Sequence, residues 1–116
     1  MKTQISASLL AANQLCLAQE LESVKNIVDR VHLDIMDAHF VPNLALGTDI
    51  VKAIPHSWSR DIHLMVTQPE NVAKWLGLRA GDTVYFHPQT VLQPLHFIKS
   101  LDTRGVVMGF AINLEI

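Results

Sequence analysis

The hydrophobic residues of this 116-residue chain change their spacing in a regular way. Short segments with the apolar pattern of β-strands alternate with segments in which apolar residues recur every three or four positions, as in helices. Five strand-type segments lie at residues 5–10, 30–36, 61–66, 83–87 and 106–113. This alternation predicts an α/β fold with a parallel sheet and right-handed crossovers. The pattern alone fits an open doubly wound sheet or part of a closed barrel.

Four helices are predicted between these strands. The first carries apolar residues at positions 17, 21, 24 and 28, and the second covers residues 49–54. Before the third, residues 67–70 match a capping box, in which the hydroxyl of Thr67 and the carboxylate of Glu70 would satisfy free amides at the helix start. The fourth has Pro94 in its first turn, and we expect Leu95, Ile98 and Leu101 on its buried face.

Composition narrows the class of protein. Hydrophobic residues make up 49% of the chain and charged residues 17%, which is typical of a packed globular domain. The net charge of −2, without a cluster of Lys or Arg, argues against a nucleic-acid or anionic-membrane partner. Cys16 is the only cysteine, which fits a reducing compartment. No signal peptide or membrane-spanning run is evident, so we expect a soluble, cytoplasmic protein.

Polar side chains interrupt one face of the second and third strands. Side chains alternate across a strand, so His32, Asp34 and Met36 point one way and the apolar residues between them point the other. His63 and Met65 share a face of the third strand. Burying two imidazoles and a carboxylate without partners costs on the order of several kcal/mol. A divalent metal ion would resolve this cost, because these groups are among its natural ligands.

The histidines also have simpler interpretations. Taken alone, His32 or His63 is better explained as a hydrogen-bonded core or edge residue than as a metal ligand. Because Asp34 lies on the same face as His32, the two interpretations become equally favoured. His87 closes the fourth strand, and we interpret it as a strand-end histidine in a loop. The remaining three histidines lie in loop or helix contexts and are expected to be solvated.

Four segments resemble those of a known enzyme family. Residues 31–43, Val-His-Leu-Asp-Ile-Met-Asp-Ala-His-Phe-Val-Pro-Asn, resemble the second-strand signature of ribulose-phosphate 3-epimerases. Residues 61–66, Asp-Ile-His-Leu-Met-Val, match the family's third strand at the family's spacing. Residues 5–10 are similar to its first strand, and residues 86–87 to the end of its fourth.

The resemblance implies a (β/α)8 TIM barrel. The chain would form the N-terminal portion of this ribulose-phosphate-binding barrel, a half-barrel of about five parallel strands and four helices in one domain over residues 1–116. It also implies that one divalent metal ion is bound by His32, Asp34 and His63. We expect zinc ahead of iron, manganese or cobalt, all of which such ligands suit.

The implied reaction inverts carbon 3 of a ketose phosphate. It interconverts D-ribulose 5-phosphate and D-xylulose 5-phosphate by metal-assisted proton abstraction through an enediolate. The resemblance makes Asp34 a catalytic acid/base as well as a metal ligand. It makes Ser8, Met36 and Met65 substrate-binding residues, and a small sugar phosphate the partner.

Two departures from the family bear on this interpretation. Ala38 stands where the family usually has glycine, which disturbs the loop after the second strand if that position needs a positive φ. The second catalytic aspartate and the glycine-rich phosphate loops belong to later strands of the family's barrel, and nothing in these 116 residues replaces them. We therefore expect little or no epimerase activity from the chain by itself.

Three alternatives stay open at this point. The first is a D-allulose 6-phosphate 3-epimerase, since both substrates share the reacting carbons. The second is a truncated, non-catalytic remnant that binds metal or a partner. The outer strands of a half-barrel leave unpaired edges, so we expect the chain to form a homo-oligomer. The third is a metal-dependent hydrolase, which the long second-strand motif disfavours.

Overall fold

One sheet organises the chain, whose computed structural model describes residues 2–114. Its strands are β1 (Ser6–Ser8), β2 (Arg30–Asp37), β3 (Leu44–Ala45), β4 (Ser59–Met65), β5 (Thr83–Phe86) and β6 (Val107–Phe110). The helices are α1 (Leu17–Val24), α2 (Thr48–Ala53), α3 (Pro69–Ala73) and α4 (Pro94–Asp102). Short 3-10 turns occupy Leu9–Ala11 and Pro88–Thr90. Within residues 2–114, no helix has the length and apolarity needed to cross a lipid bilayer.

The strands follow one another across the sheet in the order β1-β2-β4-β5-β6, and each neighbouring pair is parallel. A helix connects each strand of this path to the next, as the alternating pattern predicts. The α/β class is confirmed, and the arrangement is that of part of a (β/α) barrel. The two-residue strand β3 pairs antiparallel with the end of β2. The hydrophobic pattern does not predict β3, because two residues are too few to show a period.

The core lies between the outer face of the sheet and the helices. The alternating residues of the strands that point toward the helices are almost fully buried, as predicted for β2. The strand residues concerned are Val31, Leu33, Ile35, Ile62, Leu64, Val84 and Phe86. The helices contribute Leu21, Val51, Ala73, Phe97 and Leu101. This packing leaves the polar residues of β2 and β4 on the opposite, inner face.

A buried ion pair joins β4 to the segment before β5. The guanidinium of Arg60 donates from Nε to Oδ1 of Asp82 over 2.8 Å and from Nη2 to Oδ2 over 2.5 Å. It also donates to the backbone carbonyls of Val51 (2.8 Å) and Gly77 (3.1 Å). The side chains of Arg60 and Asp82 are 0% and 1% exposed. The pair ties the sheet to α2 and to the loop after α3.

The capping box predicted before α3 is wrong. The helix begins at Pro69 after Gln68, and no side chain caps it. The hydroxyl of Thr67 instead donates to Oδ2 of Asp37, at the end of the neighbouring strand β2, over 3.1 Å. The amide of Thr67 donates to the same oxygen over 2.8 Å. The carboxylate of Asp37, thirty residues away, therefore binds the amide and hydroxyl of Thr67, which the local pattern assigned to the cap of α3.

The buried face of α4 also differs from the prediction. Leu95 is 69% exposed, whereas Phe97 is 5% exposed and packs with its ring centroid 5.0 Å from that of Phe86. Leu101 is buried as expected, and Ile98 is partly buried against the core. Phe97 and Leu101 are four positions apart and define the inner face, because the larger aromatic ring fills the space over β5.

The loop after β2 contains a strained residue. Ala38 has a φ of 63°, in the left-handed region, and its amide donates to the carbonyl of Asn43 over 2.8 Å. A side chain in this region costs roughly 1–2 kcal/mol, whereas glycine adopts it freely. This position therefore needs a positive φ, and alanine in place of the family's usual glycine strains the loop.

We expect Ala38→Gly to raise the free energy of unfolding by about 0.5–1 kcal/mol. Relief of the strain exceeds the greater unfolded-state entropy of glycine. Urea denaturation followed by circular dichroism measures the change. Ala12→Gly is the control, because Ala12 has an ordinary φ of −85° and should lose stability on the same substitution. Equal losses for both variants would contradict the strain at Ala38.

Candidate metal centre

The register of two neighbouring strands places the candidate ligands side by side. In the parallel pair β2–β4, Asp34 lies opposite His63 and His32 lies opposite Asp61. Because side chains at even spacing share a face, His32, Asp34 and His63 all lie on the inner face of the sheet. The hydrophobic residues between them are buried on the other face. The polar cluster is thus a consequence of the alternation in β2 and β4.

The three side chains meet at one carboxylate oxygen. Nε2 of His32 lies 3.0 Å from Oδ1 of Asp34, and Nδ1 of His63 lies 3.2 Å from the same atom. One ligand atom from each residue lies within 4.8 Å of the other two. The residue Asp34 is 8% exposed, so its carboxylate has little contact with water. The structure brings together all three residues that the sequence singled out as ligands.

The donor set fits a divalent metal ion. Imidazole nitrogens and a carboxylate oxygen are ligands for zinc, iron, manganese and cobalt. Zinc bonds to these atoms are about 2.0–2.2 Å long, which places neighbouring ligands of a tetrahedral site about 3.3 Å apart. The two nitrogen–oxygen distances of 3.0 and 3.2 Å are hydrogen-bond lengths that lie close to that spacing.

His87 also joins this cluster, although the sequence interpretation placed it in a loop. It directly follows β5, is 4% exposed, and its Nε2 lies 2.9 Å from Nε2 of His63. The two rings meet edge to edge, with centroids 5.1 Å apart and planes inclined by 28°. The position of His87 in the sequence could have identified it. His87 lies two residues after Tyr85 and continues the alternation of β5. Because Tyr85 is the register partner of His63, both His87 and His63 lie on the same face.

Burial favours the neutral form of two of these histidines. Burial lowers the pKa of His63, and the charge of His32 lowers it further, while Asp34 opposes part of the shift. Burial also lowers the pKa of His87, and nearby His63 adds to that effect. A neutral imidazole keeps the lone pair that a metal ion needs.

The comparisons with known proteins show the family of the chain. A family model described as the ribulose-phosphate 3 epimerase family matches residues 4–116. The chain belongs to the ribulose-phosphate 3-epimerase family. This confirms the resemblance seen in the strand motifs, and with it membership of a family of isomerases.

Similar proteins in this family come from bacteria and fungi. The ribulose-phosphate 3-epimerase of Helicobacter pylori is 30% identical over 112 residues, covering 95% of this chain and 51% of the relative. That of Bacillus subtilis is 29% identical over 113 residues, covering 95% and 52%. That of Eremothecium gossypii is 32% identical over 129 residues, covering 97% and 53%. The chain spans about half the length of the curated relatives it matches.

The residues that the resemblance assigned to substrate lie around the cluster. Ser8 pairs in register with His32, so its side chain is directed to the same face. Met36 and Met65 are register partners on β2 and β4, two positions beyond Asp34 and His63. Both methionines are partly buried and directly adjoin the polar cluster. The inner face thus combines a polar centre with a hydroxyl on one flank and two thioethers toward the strand ends.

Asp37 ends β2 and organises the neighbouring loops. Its Oδ1 accepts the amides of His39 and Phe40, each over 2.9 Å, and its Oδ2 accepts the amide and hydroxyl of Thr67. Desolvation by itself would raise the pKa of this carboxyl. The amide hydrogen bonds from Thr67, Phe40 and His39 outweigh it and hold the pKa well below its ordinary value of 3.8.

This shift predicts a loss of stability in acid. A lowered native-state pKa contributes stability that is present above about pH 4 and is lost as the pH falls toward the native pKa. We expect Asp37→Asn to be less stable than wild type at pH 7 and to lose less on acidification. Urea midpoints at pH 7, 4 and 3 measure the difference. Asp102→Asn, at an exposed position, should retain the wild-type pH dependence. An unchanged slope for Asp37→Asn would contradict the assignment.

Proposed function

We propose that this chain supplies the first half of the catalytic site of a ribulose-phosphate 3-epimerase, in the N-terminal portion of its (β/α) barrel over residues 1–116. The substrates would be D-ribulose 5-phosphate and D-xylulose 5-phosphate. The observation that carries the proposal is the meeting of His32, Asp34 and His63 within 4.8 Å on one inner face. Family membership and the names of the relatives support the choice of reaction.

His32, Asp34 and His63 would hold one divalent metal ion, zinc ahead of iron, manganese or cobalt. When bound, the ion would stabilise the negative charge that develops on the substrate oxygens beside carbon 3. The protein positions all three ligands through the pairing of β2 with β4. Burial keeps His63 neutral and therefore able to act as a ligand at neutral pH.

Asp34 would act as the acid/base on one side of carbon 3. Both histidine contacts go to Oδ1, and among residues 2–114 Oδ2 makes no hydrogen bond. One oxygen is therefore oriented by the imidazoles while the other is available to take or return a proton. Inversion needs a second acid/base on the opposite face of the substrate. In the family that group belongs to a later strand, as do the phosphate-binding loops.

Ser8, Met36 and Met65 would contact the substrate. The hydroxyl of Ser8 can hydrogen-bond a sugar oxygen from the side of β1, next to His32. The thioethers of Met36 and Met65 form an apolar surface beside the cluster, which would exclude water from a reacting carbon.

A chimaera tests this function. Residues 1–113 are fused to the second half of the Bacillus subtilis relative, and epimerisation of D-ribulose 5-phosphate and D-allulose 6-phosphate is assayed after zinc loading. We expect turnover of the pentulose phosphate that Asp34→Asn abolishes, and little or none from the 116-residue chain alone. A folded, zinc-loaded chimaera without activity on either substrate would contradict the proposal. A preference for D-allulose 6-phosphate would make that compound the assigned substrate. Turnover by the chain alone that depends on Asp34 would contradict the claim that the chain holds only half of the catalytic site.

The outer strands of the sheet support a homo-oligomer as part of the proposal. β1 and β6 are the two ends of the strand order, and β6 carries the half-exposed apolar side chains of Val107 (60%) and Phe110 (50%). Such an edge pairs readily with another strand. Sedimentation equilibrium of the 116-residue chain should show self-association, and a stable monomer at micromolar concentration would contradict it. A cytoplasmic location belongs to the same proposal.

A further inference from the structure

We infer that His87 is a positioning residue that holds His63 with Nδ1 directed at Asp34, the orientation that metal binding requires. The inference rests on the proposed metal site, since it assigns a role toward the same ion. It adds a residue from a third strand to a set otherwise supplied by β2 and β4.

The contact between the two histidines is short and its surroundings are rigid. Nε2 of His87 lies 2.9 Å from Nε2 of His63, and the two rings meet edge to edge with their planes inclined by 28°. The ring of Phe40 packs against His87 with centroids 4.7 Å apart. The carbonyl of His87 accepts the amide of Thr90 over 3.0 Å and its hydroxyl over 2.6 Å. His87 is therefore held by its backbone and by its ring, and it can impose an orientation on His63.

The two ring nitrogens of His63 face different partners. Nδ1 faces Asp34 and Nε2 faces His87. A neutral imidazole carries one proton, so a lone pair on Nδ1 for a metal ion requires the proton on Nε2. With a metal ion at Nδ1, that N–H would donate to Nε2 of His87, which would then be the acceptor, with its own proton on Nδ1. The contact is thus compatible with the tautomer of His63 that binds a metal through Nδ1 and would stabilise it.

The rest of the His87 side chain shows that packing alone does not explain a histidine here. Nδ1 of His87 is buried and has no hydrogen-bond partner within the described part of the chain. A buried polar atom without a partner destabilises the folded state, so a phenyl ring of similar size would suit packing better. The contact with Nε2 of His63 is the interaction that only a polar ring provides at this position.

Two substitutions separate the polar contact from packing. His87→Phe keeps an aromatic ring between Phe40 and His63 but removes the acceptor. His87→Gln loses the ring but places an amide oxygen close to the former position of Nε2. Zinc binding to the full chain is measured by calorimetry for both variants and for wild type, with His63→Ala as the reference for loss of a ligand.

We expect His87→Phe to weaken zinc binding by about 10–100-fold, as is typical when the partner of a metal-bound histidine is lost. His87→Gln should bind close to wild type. In ¹⁵N NMR spectra of the zinc-bound wild type, His87 should carry its proton on Nδ1 and leave Nε2 free to accept from Nε2 of His63. This tautomer pattern is a readout that a purely structural role would not produce. It needs no variant, so it decides the question if His87→Phe does not fold.

Three results would overturn the inference. The first is unchanged zinc affinity in His87→Phe while His63→Ala has lost binding, which would leave the metal proposal standing without His87. The second is a zinc-bound chain in which His87 carries its proton on Nε2 and therefore cannot accept from His63. The third is a wild-type chain that does not bind zinc, or binds it as tightly as His63→Ala. That result would contradict the proposed metal site itself, and the role of His87 with it.

Discussion

Arg60→Ala lowers the free energy of unfolding by about 3–5 kcal/mol, the loss expected when one partner of a buried ion pair is removed. The substitution leaves the carboxylate of Asp82 1% exposed and without its cation, and it frees the carbonyls of Val51 and Gly77 from their donor. Small domains are stable by only about 5–15 kcal/mol, so the variant would be largely unfolded in moderate urea. Urea denaturation followed by circular dichroism measures the effect.

A double variant separates the unpaired charge from other consequences of the substitution. Arg60→Leu combined with Asp82→Leu removes both charges and fills much of the space, so it should be more stable than Arg60→Ala. Arg104→Ala is the surface control, because Arg104 is exposed and donates to a single carbonyl, that of Leu78. A loss below about 1 kcal/mol for Arg60→Ala would show that the pair does not hold the sheet to α2.

The second large effect is the loss of metal binding on replacement of Asp34. Asp34→Asn keeps the size of the side chain but removes the charge on the oxygen that both histidines contact. Changes in the surroundings of a ligand cost about 10–100-fold in metal affinity, so loss of a ligand itself should exceed about 100-fold. Calorimetric titration with zinc measures the change, and circular dichroism establishes that the variant is folded.

Asp37→Asn is the matched control for this prediction. Asp37 lies three residues further along β2, and its carboxylate is engaged with the amides of His39, Phe40 and Thr67 and not with the cluster. Its replacement should leave zinc affinity unchanged while lowering stability. Equal zinc affinity in Asp34→Asn and wild type would show that Asp34 is not a ligand.

The features that follow from short-range patterns could be predicted from the sequence. The alternation of strand and helix periods is repeated four times and fixes the parallel sheet. The spacing of two between His32 and Asp34 dictates a shared face, whatever the rest of the fold. Because β2 and β4 are neighbours in the sheet, His63 then lies opposite Asp34. The long motif in residues 31–43 identified the family. Periodicity alone predicts only the fold class.

The features that depend on distant partners could not be predicted. Thr67 donates to Asp37, thirty residues away, and not to its own helix. Arg60 pairs with Asp82 across 22 positions, and an arginine at the start of a strand gives no indication of its partner. His87 is one histidine at a strand end, and only the neighbouring strand shows that its Nε2 meets Nε2 of His63. The local sequence pattern does not show which side chains distant in sequence will contact a given residue.

A crystal structure of the chain with zinc, with data collected on both sides of the zinc absorption edge, tests the central claim most directly. We predict one strong anomalous peak about 2.0–2.2 Å from Nε2 of His32, a carboxylate oxygen of Asp34 and Nδ1 of His63. Zinc bound elsewhere, or by only one of these three side chains, would contradict the metal centre and the function proposed from it.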